Sequence, residues 1–311
     1  MRNSMWPTIR FRYSTYRIFF IAAAFTAMSC DAGPAPIAQS PHDMENAKQC
    51  VPSLLDIDGN RIWADKEGAG NVVVVFEAGF GNDSSVWAQI TPKIRAAGVQ
   101  TFIYDRAGMG KSSINTATPY SIENDAHILR TALTDCGIQG PVVLVGHSYG
   151  GAISLMVASA DKRVEGMVLL DAVVPHVWPK SEVDKNLRMM RSQYDEVRKQ
   201  APALAKVAIP WAEAMPETAR KIDAISVSSS LPIIDVVAEN GQKDPESTHI
   251  WRDAHLAFTR GSTHREYVLA KGSSHKVMAD QPDLVVASIL KMIGKVRSPA
   301  DSTDPARASA P

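Results

Sequence analysis

Gly146-His147-Ser148-Tyr149-Gly150 is the stretch that decides how this chain is read. It follows Pro141-Val142-Val143-Leu144-Val145, a short apolar run rich in β-branched residues that predicts a buried parallel strand. It precedes Gly151 to Ala158, whose apolar positions suit a helix packed on that strand. Strand, G-x-S-x-G, helix is the context in which the pentapeptide carries weight. A serine hydroxyl is a poor nucleophile until it is pushed into the open, near a base and near amide donors. Glycines two residues either side of Ser148 leave room where a Cβ would clash, and the following helix aims its free amides at the turn.

Upstream, strands again end in glycine turns. Leu54 to Ile57 and Arg61 to Ala64 flank Asp58-Gly59-Asn60, a hairpin signal for two opening antiparallel strands. Asn71 to Phe76 predicts a central buried strand, which ends in Glu77-Ala78-Gly79-Phe80-Gly81-Asn82. Ser84 to Ala97 reads as helical, with Trp87, Ile90 and Ile94 on one stripe and Pro92 placed to kink or split it. Thr101 to Tyr104 is the next strand, and Asp105-Arg106-Ala107-Gly108-Met109-Gly110-Lys111-Ser112 follows it. Its Gly-Lys-Ser ending invites a phosphate loop, but that motif needs a glycine where Asp105 stands. The segment is a tight turn instead, with Asp105 holding it together with Arg106. Ser121 to Leu133 follows as a helix capped by Ser121.

Downstream, Val164 to Leu170 is another apolar strand, ending at Asp171. From Ala172 to about Val227 the strand–helix alternation stops. This segment is helical in period, with Leu187, Met190, Tyr194 and Val197 on a stripe and Pro202, Pro210 and Pro216 interrupting it. An insertion of this kind over the carboxyl ends of the strands reads as a cap. Pro232 to Ala238 resumes the sheet, Asp253 to Phe258 is helical, and Glu266 to Ala270 is the last strand. Lys271-Gly272-Ser273-Ser274-His275 follows, and Pro282 to Ile293 closes the fold as a helix.

The whole chain of 311 residues suits one large α/β domain with an insertion. Lys+Arg and Asp+Glu balance at 33 each, which points away from nucleic acid or an acidic polymer as partner. Arg2, Arg10, Arg12 and Arg17 precede the apolar run Ile18 to Met28, the layout of a signal peptide over residues 1–30. Ala27-Met28-Ser29-Cys30 resembles a bacterial lipobox, departing from it at Ala27, where leucine is usual. The expected location is therefore periplasmic or extracellular, with a lipid on Cys30 as the one route to a membrane. Residues 31–50 read as a proline-rich linker, 51–296 as the folded domain with its cap at about 172–227, and 297–311 as a disordered tail. Cys50 and Cys136 are left either to pair in an oxidising compartment or to stand as two buried thiols. No Cys/His grouping has zinc-ligand spacing, and no cofactor is implied.

Five anchors in order carry a resemblance that runs from about Leu54 to Ile293. They are Gly79-Phe80-Gly81, Tyr104-Asp105-Arg106-Ala107-Gly108, Gly146-His147-Ser148-Tyr149-Gly150-Gly151, Leu170-Asp171-Ala172, and Gly272-Ser273-Ser274-His275 with Asp280-Gln281-Pro282. The chain resembles the α/β-hydrolase superfamily, in particular its compact bacterial esterase-like members with a helical cap. The resemblance implies a mostly parallel eight-stranded sheet with helices on both faces and catalysis by a Ser–acid–His triad. It makes Ser148 the nucleophile, His275 the base, and the backbone amides of Phe80 and Tyr149 the oxyanion donors. Members place the acid after the strand that follows the elbow helix or after the next one. Asp171 ends the first of these and is the leading candidate; Asp244 is the alternative, and Glu239 is third. Superfamily members that attack with aspartate, dehalogenases and epoxide hydrolases, are excluded by Ser148. The expected activity is hydrolysis of a small carboxylic ester or lactone. The rivals are a cofactor-free lyase or perhydrolase on the same fold, and a binding protein that lost turnover.

Overall fold

The computed structural model describes residues 50, 52–242 and 244–297. The leader with Cys30, the linker up to residue 49 and the tail from residue 298 lie outside the described residues. The strands are β1 (Ser53–Ile57), β2 (Asn60–Gly68), β3 (Val73–Glu77), β4 (Gln100–Tyr104), β5 (Val142–His147), β6 (Val164–Leu170), β7 (Ile233–Asn240) and β8 (Arg265–Ser274). The helices are α1 (Thr91–Arg95), α2 (Ile122–Asp135), α3 (Tyr149–Ala160), α4 (Lys180–Arg191), α5 (Tyr194–Gln200), α6 (Pro202–Glu213), α7 (Met215–Asp223), α8 (Pro245–Arg260), α9 (Val277–Asp280) and α10 (Pro282–Arg297).

Every residue of β3 and β5 is buried, as expected of unbroken apolar runs covered on both faces. They sit at the centre of one eight-stranded sheet of order β1-β2-β4-β3-β5-β6-β7-β8. The β1–β2 hairpin forms as its Asp58-Gly59 turn predicts, and β2 also runs antiparallel to β4; the pairs from β4 to β8 are parallel. This is the α/β-hydrolase fold, with the mostly parallel sheet and flanking helices expected.

The register brings the chemistry together. Glu77 pairs with Gly146, and His147 pairs with Leu170, so the turns after β3, β5 and β6 emerge side by side. Asn240 pairs with Ser274, which delivers His275 to the same edge. The chain reverses its direction of winding between β3 and β5, and the crevice at such a reversal is where open α/β sheets bind ligands. Beneath it, Phe76, Trp87, Ile90 and Ile94 pack with Val285, Ile289 and Met292 of α10. Each such burial is worth about 1.5–3 kcal/mol, enough to fix the strand ends against the motion of the loops they carry.

The helix expected over Ser84 to Ala97 is split, one of the two outcomes expected there, into a short 3-10 turn at Ser84–Trp87 and α1, with Pro92 in the first turn of α1, where its missing N–H costs nothing. Two details differ from the sequence reading. Helix α8 begins eight residues before the expected Asp253, because Asp244 caps it and Pro245 opens it. Cys50, the last residue assigned to the linker, is 2% exposed and bonded to Cys136 at the end of α2.

That bridge ties the chain just before β1 to α2 across a sequence separation of 86 residues. Removing a constraint of this span releases loop entropy to the unfolded chain, so the Cys50→Ser/Cys136→Ser double variant is expected to lose about 2–4 kcal/mol of stability. Urea unfolding read by circular dichroism checks this; an unchanged midpoint and slope would mean that the bridge contributes nothing.

Candidate active site

Ser148 sits in the turn between β5 and α3 with φ 52° and ψ −125°, a conformation that costs a side-chain-bearing residue about 1–3 kcal/mol. Its neighbours hold it there. The Ser148 amide donates to Leu170 O at 3.1 Å, and the Val173 amide donates to Ser148 O at 2.8 Å. The two bonds lace the elbow to the turn after β6, where Asp171 is itself at φ 43°. Gly150 makes the tight packing possible, because a Cβ there would collide with the carbonyl oxygens of Glu77 and Ala78.

The structure brings Ser148, His275 and Asp171 into one hydrogen-bonded line. Asp171 Oδ2 is 2.6 Å from His275 Nδ1, and His275 Nε2 is 2.8 Å from Ser148 Oγ. A carboxylate only accepts, so Nδ1 is the donor and Nε2 is left to accept the serine hydroxyl. Asp171 is fully buried, and its other oxygen accepts from the Ala238 amide at 3.1 Å and from Trp251 Nε1 at 2.9 Å. Gly241 lies against it so closely that a Cβ there would collide with Oδ2. Ser148 is partly exposed, so the line opens to solvent at its serine end and is sealed at its carboxylate end.

The other two carboxylates lie elsewhere. Asp244 caps α8, accepting from the Ser247 amide at 2.9 Å and from Lys185 at 3.2 Å. Glu239 Oε2 accepts from the Gly272 amide at 2.7 Å. Neither is hydrogen-bonded to His275. Glu239 instead holds β8 in place ahead of that histidine, and Asp280 continues the task by accepting from the Ser274 amide at 2.8 Å.

Phe80 and Tyr149 stand on the loop after β3 and at the first position of α3, and neither amide is hydrogen-bonded within the described residues. Below the β3 loop lies a buried cluster. Arg106 reaches Glu77 Oε1 at 2.5 Å and also donates to the carbonyls of Ala78 and, at 2.8 Å, Gly79. Tyr104 donates to the second oxygen of Glu77. Burial pushes the Glu77 carboxyl up and the Arg106 cation draws it back, so the two charges offset each other's desolvation. The Arg106 side chain therefore does not brace the Asp105 turn, as the sequence suggests. The Asp105 side chain holds that turn, accepting from the amides of Ser84 and Lys111 at 2.8 Å each, and Arg106 joins in only through its carbonyl, which accepts from the Met109 amide. Paired with Glu77, Arg106 shapes the β3 loop instead.

Trp251 and the Glu77–Arg106–Tyr104 cluster escape sequence reading. Trp251 is seven residues along α8 from its cap, and nothing local ties an indole there to Asp171. A second buried pair backs it: His255 Nδ1 is 2.8 Å from Asp235 Oδ2, and the His255 ring lies 5.3 Å from that of Trp251. Burial works against a charged His255, but Asp235 outweighs it and holds the pKa above the usual value. Above the site, Trp211 of α6 stacks on Phe80 at 4.0 Å, which sets the cap directly over the β3 loop. Among the described residues, no group of three or more His, Cys, Asp or Glu side chains is arranged to hold a metal ion.

A family model described as alpha/beta hydrolase fold matches residues 72–215. The chain is 27% identical over 236 residues to the uncharacterized protein YqjL of Bacillus subtilis, an alignment covering 72% of this chain and 84% of that one. It is 41% identical to the lipase LipV of Mycobacterium tuberculosis over 71 residues, 22% of this chain and 26% of the lipase. Among solved structures, a thermophilic esterase from Thermogutta terrifontis superposes with a TM-score of 0.59 at 18% identity, covering 79% of this chain and 98% of the esterase. At that identity the likeness is one of fold.

His147, beneath the elbow, donates from Nε2 to His275 O at 2.9 Å. Burial, reinforced by the neighbouring His275, pulls its pKa down to about 3. The unfolded chain protonates this group below its ordinary value of about 6.5 and the folded chain does not, so folding weakens as pH falls from there toward 3. Between pH 6 and 4 the wild type is expected to lose about 1.4 kcal/mol per pH unit more than a His147→Gln variant. Urea unfolding at stepped pH measures the difference, and parallel pH profiles would show that His147 does not stay neutral.

Proposed function

The chain belongs to the α/β-hydrolase superfamily, and from that premise we propose that it is a serine hydrolase cleaving a small carboxylic ester or lactone through an acyl-enzyme. The observation that carries the reading is the line Ser148–His275–Asp171, set beside two unengaged amides at Phe80 and Tyr149. Esterase and lipase neighbours on the same fold support a hydrolase.

The steps follow from the geometry. Ser148 Oγ attacks the carbonyl carbon while its proton passes to His275 Nε2 across the 2.8 Å contact. The carbonyl oxygen takes the negative charge and turns to the Phe80 and Tyr149 amides, where one donor is worth about 3–4 kcal/mol of barrier. Asp171 orients the imidazole and stabilises the imidazolium, with its three donors holding it in place throughout. Collapse breaks the bond to the alkoxy oxygen, which leaves with the proton from Nε2. Water then gives its proton to Nε2 and attacks the acyl carbon, and a second collapse frees the acid and returns the proton to Ser148.

We also propose that the protein works outside the cytoplasm. The Cys50–Cys136 bridge favours an oxidising compartment, in keeping with the leader and with a lipid on Cys30. The partner is a small-molecule ester or lactone, and the balanced charge argues against nucleic acid.

Labelling with a fluorophosphonate, beside hydrolysis of a panel of short-chain esters, tests the assignment. Ser148→Ala is expected to lose labelling and to lower kcat by roughly 10³-fold or more, and Asp171→Asn to lower it by roughly 10²–10⁴-fold. Asp244→Asn is expected to stay within about twofold of the wild type, the scale of a surface change. Undiminished turnover in Ser148→Ala would end the reading, and a larger loss in Asp244→Asn than in Asp171→Asn would reassign the acid.

A further inference from the structure

Two cavities meet beneath the cap. The inner one, about 30 Å³, is walled by Trp211 and by Phe80 and Tyr149, the two residues whose amides are unengaged. The outer one, about 200 Å³, lies where Asn60, Asn115, Thr118 and Asn124 face α6. It has room for several water-sized groups at about 30 Å³ each. Tyr120 and Asp125 line both cavities, together with Ala107, Ile114 and Val207.

Asp125 is a titratable group that the hydrolytic steps leave unused. Its Oδ2 accepts from the Tyr120 hydroxyl at 3.0 Å, while Oδ1 takes no hydrogen bond from any described residue. The Tyr120 hydroxyl in turn meets that of Tyr149, so the group is tied to the residue next to the nucleophile. Arg106 also lines the inner cavity, but its charge is matched by Glu77 at 2.5 Å. At the outer cavity, Asp58 is exposed and paired with His127 at 3.1 Å, and Lys206 is exposed, where water screens it. Glu77 and Asp125 thus share the Arg106 cation, and the wall carries one more carboxylate than buried cations. Desolvation pushes its carboxyl up, to about 6 once Arg106 and Tyr120 draw it back, which leaves it ionised at neutral pH. The rings of Tyr120, Tyr149 and Trp211 line the inner cavity; Arg106 already lies over Tyr149 at 5.8 Å, and the electron-rich faces of Tyr120 and Trp211 favour a positive charge.

We propose that the paired cavities are a substrate subsite for a small alkylammonium group, with Asp125 as the residue that selects it. The ammonium N–H donates to Asp125 Oδ1, its alkyl substituents lie in the outer cavity against Tyr120, and the reacting carbonyl reaches Ser148 past Tyr149. The substrate class is an ester or lactone bearing an amine. This assignment rests on the serine-hydrolase reading.

Matched esters of equal shape test it: dimethylaminoethyl butyrate against isopentyl butyrate, and the phenyl esters of dimethylaminopropanoic against isohexanoic acid. In the wild type at neutral pH, kcat/KM for the cationic member of at least one pair is expected to exceed that of its neutral isostere about tenfold or more. In Asp125→Asn the ratio is expected to fall close to one. Ratios near one in both pairs of an active wild type would overturn the subsite and leave the hydrolase reading intact. Calorimetric titration of Ser148→Ala, with and without Asp125→Asn, reads the preference without turnover. There the cationic esters are expected to bind about tenfold more tightly, with the difference lost in the double variant; equal affinities would also overturn the subsite. A binding preference that survives in a wild type inert toward every ester would sink the hydrolase reading alone.

Discussion

Two backbone hydrogen bonds, from Ser148 to Leu170 and from Val173 to Ser148, join two turns that would each be unfavourable alone. Both turns place a residue with a side chain at positive φ, Ser148 at 52° and Asp171 at 43°. The strain is tolerable because β5 and β6 are buried, in register and held on both faces, so neither strand end can relax without unpairing its neighbour. The same constraint that strains the serine sets its distance from the acid. A histidine delivered by β8 then has one gap to fill.

Filling that gap depends on polar groups which the core must keep satisfied. Asp171 has no solvent to ionise into, and the Ala238 amide, the Trp251 indole and His275 take water's place. Glu77 and Arg106 solve the same problem below the β3 loop, where each offsets the other's desolvation and the guanidinium keeps two loop carbonyls pointed down. A carbonyl turned inward turns the next amide along the chain the other way. The Arg106 contacts with Ala78 and Gly79 thus favour an outward Phe80 amide by simple peptide geometry. Removing either charge would leave the other buried and alone, a larger penalty than the pair's own net contribution.

The sheet and the elbow were legible in the sequence because both are written locally. Valine runs specify buried strands, and a serine between spaced glycines specifies the turn, whatever lies far away in the chain. The acid was harder. Asp171, Asp244 and Glu239 all follow a strand, and what separates them is the Asn240–Ser274 register, Gly241 against Asp171 and an indole from α8, all of them long-range. The Cys50–Cys136 pairing was open for the same reason, since composition cannot place two cysteines 86 positions apart within bonding reach. Arg106 was misread because its sequence neighbour is Asp105, whereas the charge it meets in space is Glu77.

This division also explains where selectivity resides. Ser148, His275 and Asp171 stand at strand ends fixed by a shared core, so their geometry is a property of the sheet. The walls around them come from the cap and from the segment between β4 and α2, where Trp211, Val207 and Tyr120 meet side chains rather than backbone ladders. Side-chain packing of this kind can change its lining without moving the Ser148–His275–Asp171 line, because the cap's stack on Phe80 contacts the β3 loop through a ring and leaves the amide free. Chemistry and recognition are therefore carried by different kinds of constraint. A carboxylate such as Asp125, held by one tyrosine hydroxyl in a wall of this sort, can change what enters the site without changing what happens at Ser148.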